Sequence, residues 1–282
     1  MRQRGTFVIA HLTFREAARR RILLAALLLG VAFLAIYGLG IHFIHQDMVT
    51  RGEHLQRVVA IPMRSFLAQS GLYVVNFLTL ALTVLTSVDT ISGEIDSGTI
   101  HALAAKPIRR WEILIGKWLG FVGMLTIYLL LMAGGVLVLT RALLGYRVPN
   151  AFRGLALMWI NELLVLNVTL LGGTRLSTLA NGVVVFAAYG VAFIGGWIEQ
   201  IGAFLGNQST VVIGILSSLL MPSEAVWRRA AHEMQTALAA ALVPNPLMST
   251  VSVPSVAMVI YAVVYAAAAL IVALWSFRQR DL

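Results

Sequence analysis

Amide and ionisable side chains inside apolar runs are the first candidates for chemistry in a sequence that has few of either. Asn76 and the pair Asn161–Glu162 lie in stretches otherwise rich in Leu, Val, Ile and Ala, with Asn167 shortly after. A carboxylate in lipid is costly and faces a bundle interior or water, so Asn76, Asn161 and Glu162 form a candidate substrate path. A structural hydrogen bond between Glu162 and Asn76 is an equal alternative. His42 and His45 stand at i and i+3, with His54 beyond, and such spacing can share a metal. With no Cys and no third ligand at fixed spacing, no metal site is assigned. The chain contains no G-x-x-x-x-G-K-[ST] phosphate loop, no H-E-x-x-H and no paired acidic motif within a span, so no catalytic residue is expected and ATP should not bind here.

The densest polar stretch is "DTISGEIDSGTIHALAAKPIRRWEILIGK", residues 89 to 117. Gly93 and Gly98 permit tight turns. Asp89, Glu94 and Asp96 put negative charge near the start of a short helix, where the dipole favours it. Ile100, Leu103 and Ala104 give that helix one apolar edge, and Pro107 ends it. Arg109 and Arg110 anchor the next span, and Lys117 is expected to snorkel toward the headgroups. The plain alternative is a solvated loop whose charges cap a helix.

The elements that must position these groups follow from composition. The 282 residues are 59% hydrophobic and 12% charged, with a mean hydropathy of +0.87, against about 45 to 50% apolar in a soluble domain. The fold class is therefore an all-α integral membrane protein, a single transmembrane domain over 1–282. Six transmembrane helices are predicted, at about 22–41, 66–87, 112–139, 155–175, 178–198 and 255–277, each near the roughly 20 residues a crossing needs. Arg2, Arg4, Arg15, Arg19, Arg20 and Arg21 precede the first span. That run is long for a signal peptide and lacks a small-residue cleavage site, so it is expected to be retained. Before it lies an N-terminal amphipathic interfacial helix, with Phe7, Val8, His11, Leu12 and Phe14 for the headgroup layer.

Six spans put both termini on one side. If that side is the cytoplasm it holds thirteen of the Lys and Arg residues and the outside eight, which favours cytoplasmic N and C termini. The run 211–221 is too short for a span and reads as a re-entrant or interfacial segment before the last span. Residues 224–235 read as an exposed amphipathic helix on the outer face, between Pro222 and the "PNP" at 244–246. Trp111, Trp159, Trp197 and Trp275 fall near span ends, as an interfacial belt requires. Gly116-x-x-x-Gly120 permits close helix packing.

The run "SGEIDSGTIHALAAKPIRRWEILIGKWLG" resembles the signature of type-2 ABC exporter permeases: Gly93 with Glu94, Gly98 with Thr99, Pro107, Arg109 or Arg110, and Gly116 with Lys117. The "FREAARRR" lead, "LSTLANG" between spans four and five, and the "FRQRDL" tail agree with it along nearly the whole chain. Within the family, the resemblance leans toward permeases that accompany copper-site maturation machinery.

The resemblance implies a permease of an ATP-driven exporter in the inner (plasma) membrane. A cytoplasmic coupling helix between spans two and three would seat in a separate ATPase subunit, through Gly93, Glu94, Asp96, Gly98, Thr99, Leu103, Pro107, Arg109 and Arg110. A second permease chain, identical or not, would complete the path. ATP and Mg would belong to the partner ATPase, with no cofactor on this chain. The alternatives are an ATP-independent carrier or channel, against which no internal repeat is seen, and an intramembrane enzyme. Nucleic acid is disfavoured despite the net charge of +9, because the Arg cluster adjoins a span and suits anionic membrane lipid.

Overall fold

The computed structural model describes residues 3–50, 56–93, 109–236, 238 and 252–279. Among these, nine long helices run in chain order: α1 (Gln3–Arg19), α2 (Arg21–Thr50), α3 (Gln56–Ser87), α4 (Arg110–Leu144), α5 (Ala151–Gly173), α6 (Thr178–Leu205), α7 (Gln208–Leu220), α8 (Ser223–Glu233) and α9 (Val256–Gln279). Six are long and apolar enough to cross a membrane: Arg21–Asp47, Ala60–Ser87, Arg110–Leu144, Ala151–Gly173, Thr178–Leu205 and Val256–Gln279. The protein is thus an all-α membrane protein, as composition requires. Several helices outrun their apolar windows. α4 extends to 35 residues, about 52 Å at 1.5 Å per residue, because polar side chains at its ends interrupt hydropathy without interrupting the backbone ladder.

Alternate helix ends gather on one face of the bundle. The start of α2 meets the end of α3 through Arg20 and Asp89. The segment after α3 meets the start of α6 through Ser92 and Thr178, 2.7 Å apart. The end of α5 meets the end of α9 through Arg175 Nε, which donates to Ser276 Oγ at 2.8 Å. Both described chain ends therefore lie at this first face. The far face holds Ile41, Ala68, Leu144 and Tyr146 in a cluster of their own.

The amphipathic helix α1 is seated on α4. Successive turns of the two helices meet: a Cβ at Gly116 would lie 2.7 Å from the Ile9 side chain, and one at Gly120 would lie 2.8 Å from the Ala10 carbonyl oxygen. The Gly116–Gly120 spacing is therefore used within the chain, as the groove in which α1 lies. Ile9, Thr13 and Ala17 are buried in that contact, while Phe7, Val8 and Leu12 face outward.

Residues 199–236 differ most from expectation. α6 ends at Gly206, whose left-handed φ of +70° lets the chain reverse. Asn207 then caps α7, its side chain accepting from the Thr210 amide at 3.2 Å. α7 packs back along α6 at Gly202, where a Cβ would lie 2.8 Å from that of Thr210. Its other side exposes Val212, Ile213, Leu216 and Leu220. At Met221–Pro222 the path bends by 110° into α8. α8 is not the exposed outer helix that its charge pattern suggests. Ser223 to Arg228, Ala230 and Ala231 are buried, with Trp227 part of the principal core that also holds Leu72 and Met132. The helix is amphipathic, as its pattern predicts, but its surroundings differ: its Arg228 meets the buried carboxylate of Glu199 instead of water.

Candidate functional site

Two groups of polar side chains can do work, one through the bundle and one at the first face. The first is carried by α3. Gln69, Tyr73, Asn76, Thr79, Thr83 and Ser87 recur on one side of the helix, as its 3.6-residue period allows. From Gln69 to Ser87 the stripe covers about 27 Å, close to the roughly 30 Å of a bilayer's hydrocarbon core. Threonine and serine are tolerated there because each hydroxyl back-bonds to the preceding turn: Thr79 to the Val75 carbonyl at 2.9 Å, Thr83 to Thr79 at 2.8 Å and Ser87 to Thr83 at 2.6 Å.

The partners of this stripe change along its length. Gln69 Nε2 donates to the Ala231 carbonyl of α8 at 2.9 Å. The Tyr73 ring lies 5.5 Å from that of Trp227. Asn76 Oδ1 accepts from Asn161 Nδ2 of α5 at 3.1 Å. Thr79 faces Glu162, the next residue on α5. The structural hydrogen bond expected between Glu162 and Asn76 therefore runs from Asn161 instead. Glu162 is 3% exposed, and neither of its oxygens has a sound hydrogen bond, the Thr79 hydroxyl being turned to its own helix. The three residues read as a candidate path, Asn76, Asn161 and Glu162, are brought together.

Above them α8 is held by ion pairs. Arg228 Nη2 lies 2.7 Å from Glu199 Oε2 on α6, and both side chains are buried. The other Glu199 oxygen accepts from Ser252 Oγ at 2.6 Å. Arg229 donates to Glu233 at 2.6 Å and to the Pro254 carbonyl oxygen at 3.3 Å, and Asn150 Nδ2 donates to the Glu233 carbonyl at 3.2 Å. Hydropathy could not find this latch, because its members come from segments up to 83 residues apart. The signal available was Glu199, an acid within an apolar run that needs a cationic partner.

The second group flanks the polar stretch 89–117. Arg20 Nη1 lies 2.7 Å from both carboxylate oxygens of Asp89, and Nη2 lies 2.8 Å from Glu16. Burial alone would lower the Arg20 guanidinium, and its bonds to Glu16 and Asp89 raise it above the ordinary value. Lys117 does not snorkel outward. It is 6% exposed, and its Nζ donates to the Thr90 carbonyl at 3.0 Å. The reason is steric: α1 covers the side of α4 that Lys117 would have needed to reach the headgroups, and Thr13, Glu16, Ala17, Arg20, Thr90, Lys117 and Phe121 line a small hollow between them. Arg109 begins α4 with its amide donating to Glu112 at 3.3 Å. Gly93 and Arg110 lie at the described edges of the stretch. Glu94, Asp96, Gly98, Thr99, Leu103 and Pro107 lie outside the described residues, as do His54 and residues 244–246. No cluster of three or more His, Cys, Asp or Glu residues able to hold a metal ion occurs among the described residues.

A family model described as "ABC-2 family transporter protein" matches residues 7–282. No curated protein matches the chain.

Proposed function

Since the chain belongs to the ABC-2 transporter family and is thus of the kind that forms the transmembrane component of an ABC transporter, we propose that it is the permease half of an exporter powered by a separate cytoplasmic ATPase. The observation that carries this reading is the match over residues 7–282, supported by six candidate spans and by a buried polar stripe that runs their length. ATP and Mg would be bound by the ATPase, and a second permease chain, identical or not, would supply the other half of the path.

In this reading the first face is cytoplasmic, in the inner membrane, with both termini on that side. Residues 94–108 connect α3 and α4 in sequence, whose adjoining ends meet through the Arg20–Asp89 and Lys117–Thr90 contacts of that face, and would seat on the ATPase. Gly93, Glu94, Asp96, Gly98, Thr99, Leu103, Pro107, Arg109 and Arg110 would form the contact. Closure of the ATPase would then move α3 and α4 as rigid bodies, and Asn76, Asn161 and Glu162 would meet the cargo between them.

The test is co-purification of an ABC ATPase with the wild-type chain and with Glu94→Ala combined with Gly98→Pro. Loss of the ATPase, or of its stimulation by transport, is expected in the double variant. Unchanged co-purification and transport would remove the coupling role from this stretch.

A further inference from the structure

Away from the first face, the buried ionisable groups of the described bundle carry more carboxyls than cations. Glu112 and Lys117 are buried near the first-face end of α4; among the other described residues three carboxyl groups, Glu162, Glu199 and Glu224, are buried with a single guanidinium, Arg228. Arg228 is already 2.7 Å from Glu199 and also faces Glu224. At the α3–α5 seam the unmatched atoms are Glu162 Oε1, Glu162 Oε2 and Asn161 Oδ1. All are acceptors. The donors around them are committed elsewhere: Asn161 Nδ2 to Asn76, the Thr79 hydroxyl to Val75, and the Tyr128 hydroxyl to the Ala26 carbonyl at 3.1 Å.

Buried acceptors without donors are costly unless something supplies a donor or a positive charge. An anionic guest would be repelled at such a seam, and a neutral apolar one would leave the oxygens unmatched. We propose that the α3–α5 seam is a subsite for a positively charged group, either the ammonium of an organic cargo or a free inorganic cation, with Glu162 as its counter-ion and Asn161 beside it. The inference rests on the reading of the α3 stripe as part of the translocation path, and gives that path a charge preference.

The experiment uses the full chain in phosphatidylcholine nanodiscs without any ATPase, so its outcome is separate from that of the coupling reading. Three probes are bound in turn: ethidium as an organic cation, radiolabelled rubidium as an inorganic one, and anilinonaphthalene sulfonate as an anion. The wild type should bind one of the cations saturably, and Glu162→Gln should weaken that binding by at least about tenfold, since it removes a buried counter-charge. Asn76→Asp keeps the acceptor for Asn161 and adds a carboxyl, so it should tighten cation binding. Binding of ethidium alone identifies an organic cargo, and of rubidium alone an inorganic ion; the anion should not respond to either substitution. Absence of saturable cation binding, or equal affinity in wild type, Glu162→Gln and Asn76→Asp at unchanged melting temperature, would overturn the proposal and leave Glu162 a packed neutral acid.

Discussion

Arg20 reaches across from the break between α1 and α2 to hold both carboxylate oxygens of Asp89 at 2.7 Å with one nitrogen. Asp89 stands only a few residues before residues 94–108, so in the proposed reading the pair would set the point from which that segment starts. The two side chains are 27% and 39% exposed, and pairs this open contribute only about 0.2–1 kcal/mol. Arg20→Ala should therefore change the melting temperature little and reduce transport-stimulated ATP turnover by the partner strongly. Exchange of the charges, Arg20→Asp with Asp89→Arg, should restore part of that turnover. Wild-type coupling in Arg20→Ala would show that the pair positions nothing.

The Glu199–Arg228 pair behaves in the opposite way, because both partners are buried. Arg228→Met strands the Glu199 carboxylate and should destabilise the protein by about 3–5 kcal/mol. Glu199→Gln added to it should recover most of the loss. Thermal unfolding in one lipid composition reads both, and the difference should persist in high salt, since buried pairs are little screened.

At Gly120 the α1 seat comes closest to the α1 backbone: a Cβ there would press on the Ala10 carbonyl oxygen at 2.8 Å and the Phe14 amide nitrogen at 3.1 Å. Backbone cannot swing aside as a side chain can. Gly120→Val should cost about 1–3 kcal/mol and lift α1 from α4. Thr13→Cys, buried in that seat, should be shielded from a thiol reagent while Gly120 is kept and labelled once Gly120→Val is added, in a chain that has no cysteine of its own.

Sidedness can be read with single cysteines. Arg147→Cys and Gln208→Cys lie at exposed far-face positions, and Arg278→Cys is exposed at the first face. A membrane-impermeant maleimide added to intact cells should label positions 147 and 208, and label 278 only after permeabilisation. The reverse pattern would invert the orientation.

The spans are legible in the sequence because a long apolar run has one physical meaning in a chain of this composition. The candidate path is legible in Asn76, Asn161 and Glu162, since amide and acid groups in lipid need partners, although which of the pair at 161–162 bonds to Asn76 depends on helix rotation that spacing does not set. Lys117 and α8 depart from expectation for one shared reason. Sequence alone assigns their charges to water or headgroups, whereas their buried partners are the Thr90 carbonyl and Glu199, 27 and 29 residues away in sequence. Hydropathy windows see only neighbours along the chain.

The bond from Gln69 to the Ala231 carbonyl joins residues 162 apart, and this sets an order on biosynthesis. When α3 and α4 leave the ribosome, the far half of the α3 stripe has no cover, and Gln69 and Tyr73 must wait until more than half of the chain has followed. The first-face contacts among residues 20, 89, 90 and 117 can close early, while the opposite end stays open until α8 arrives. A nascent chain halted between α5 and α8 would thus present an unfinished polar groove to the insertion machinery, a natural mark by which quality control could tell incomplete permeases from finished ones.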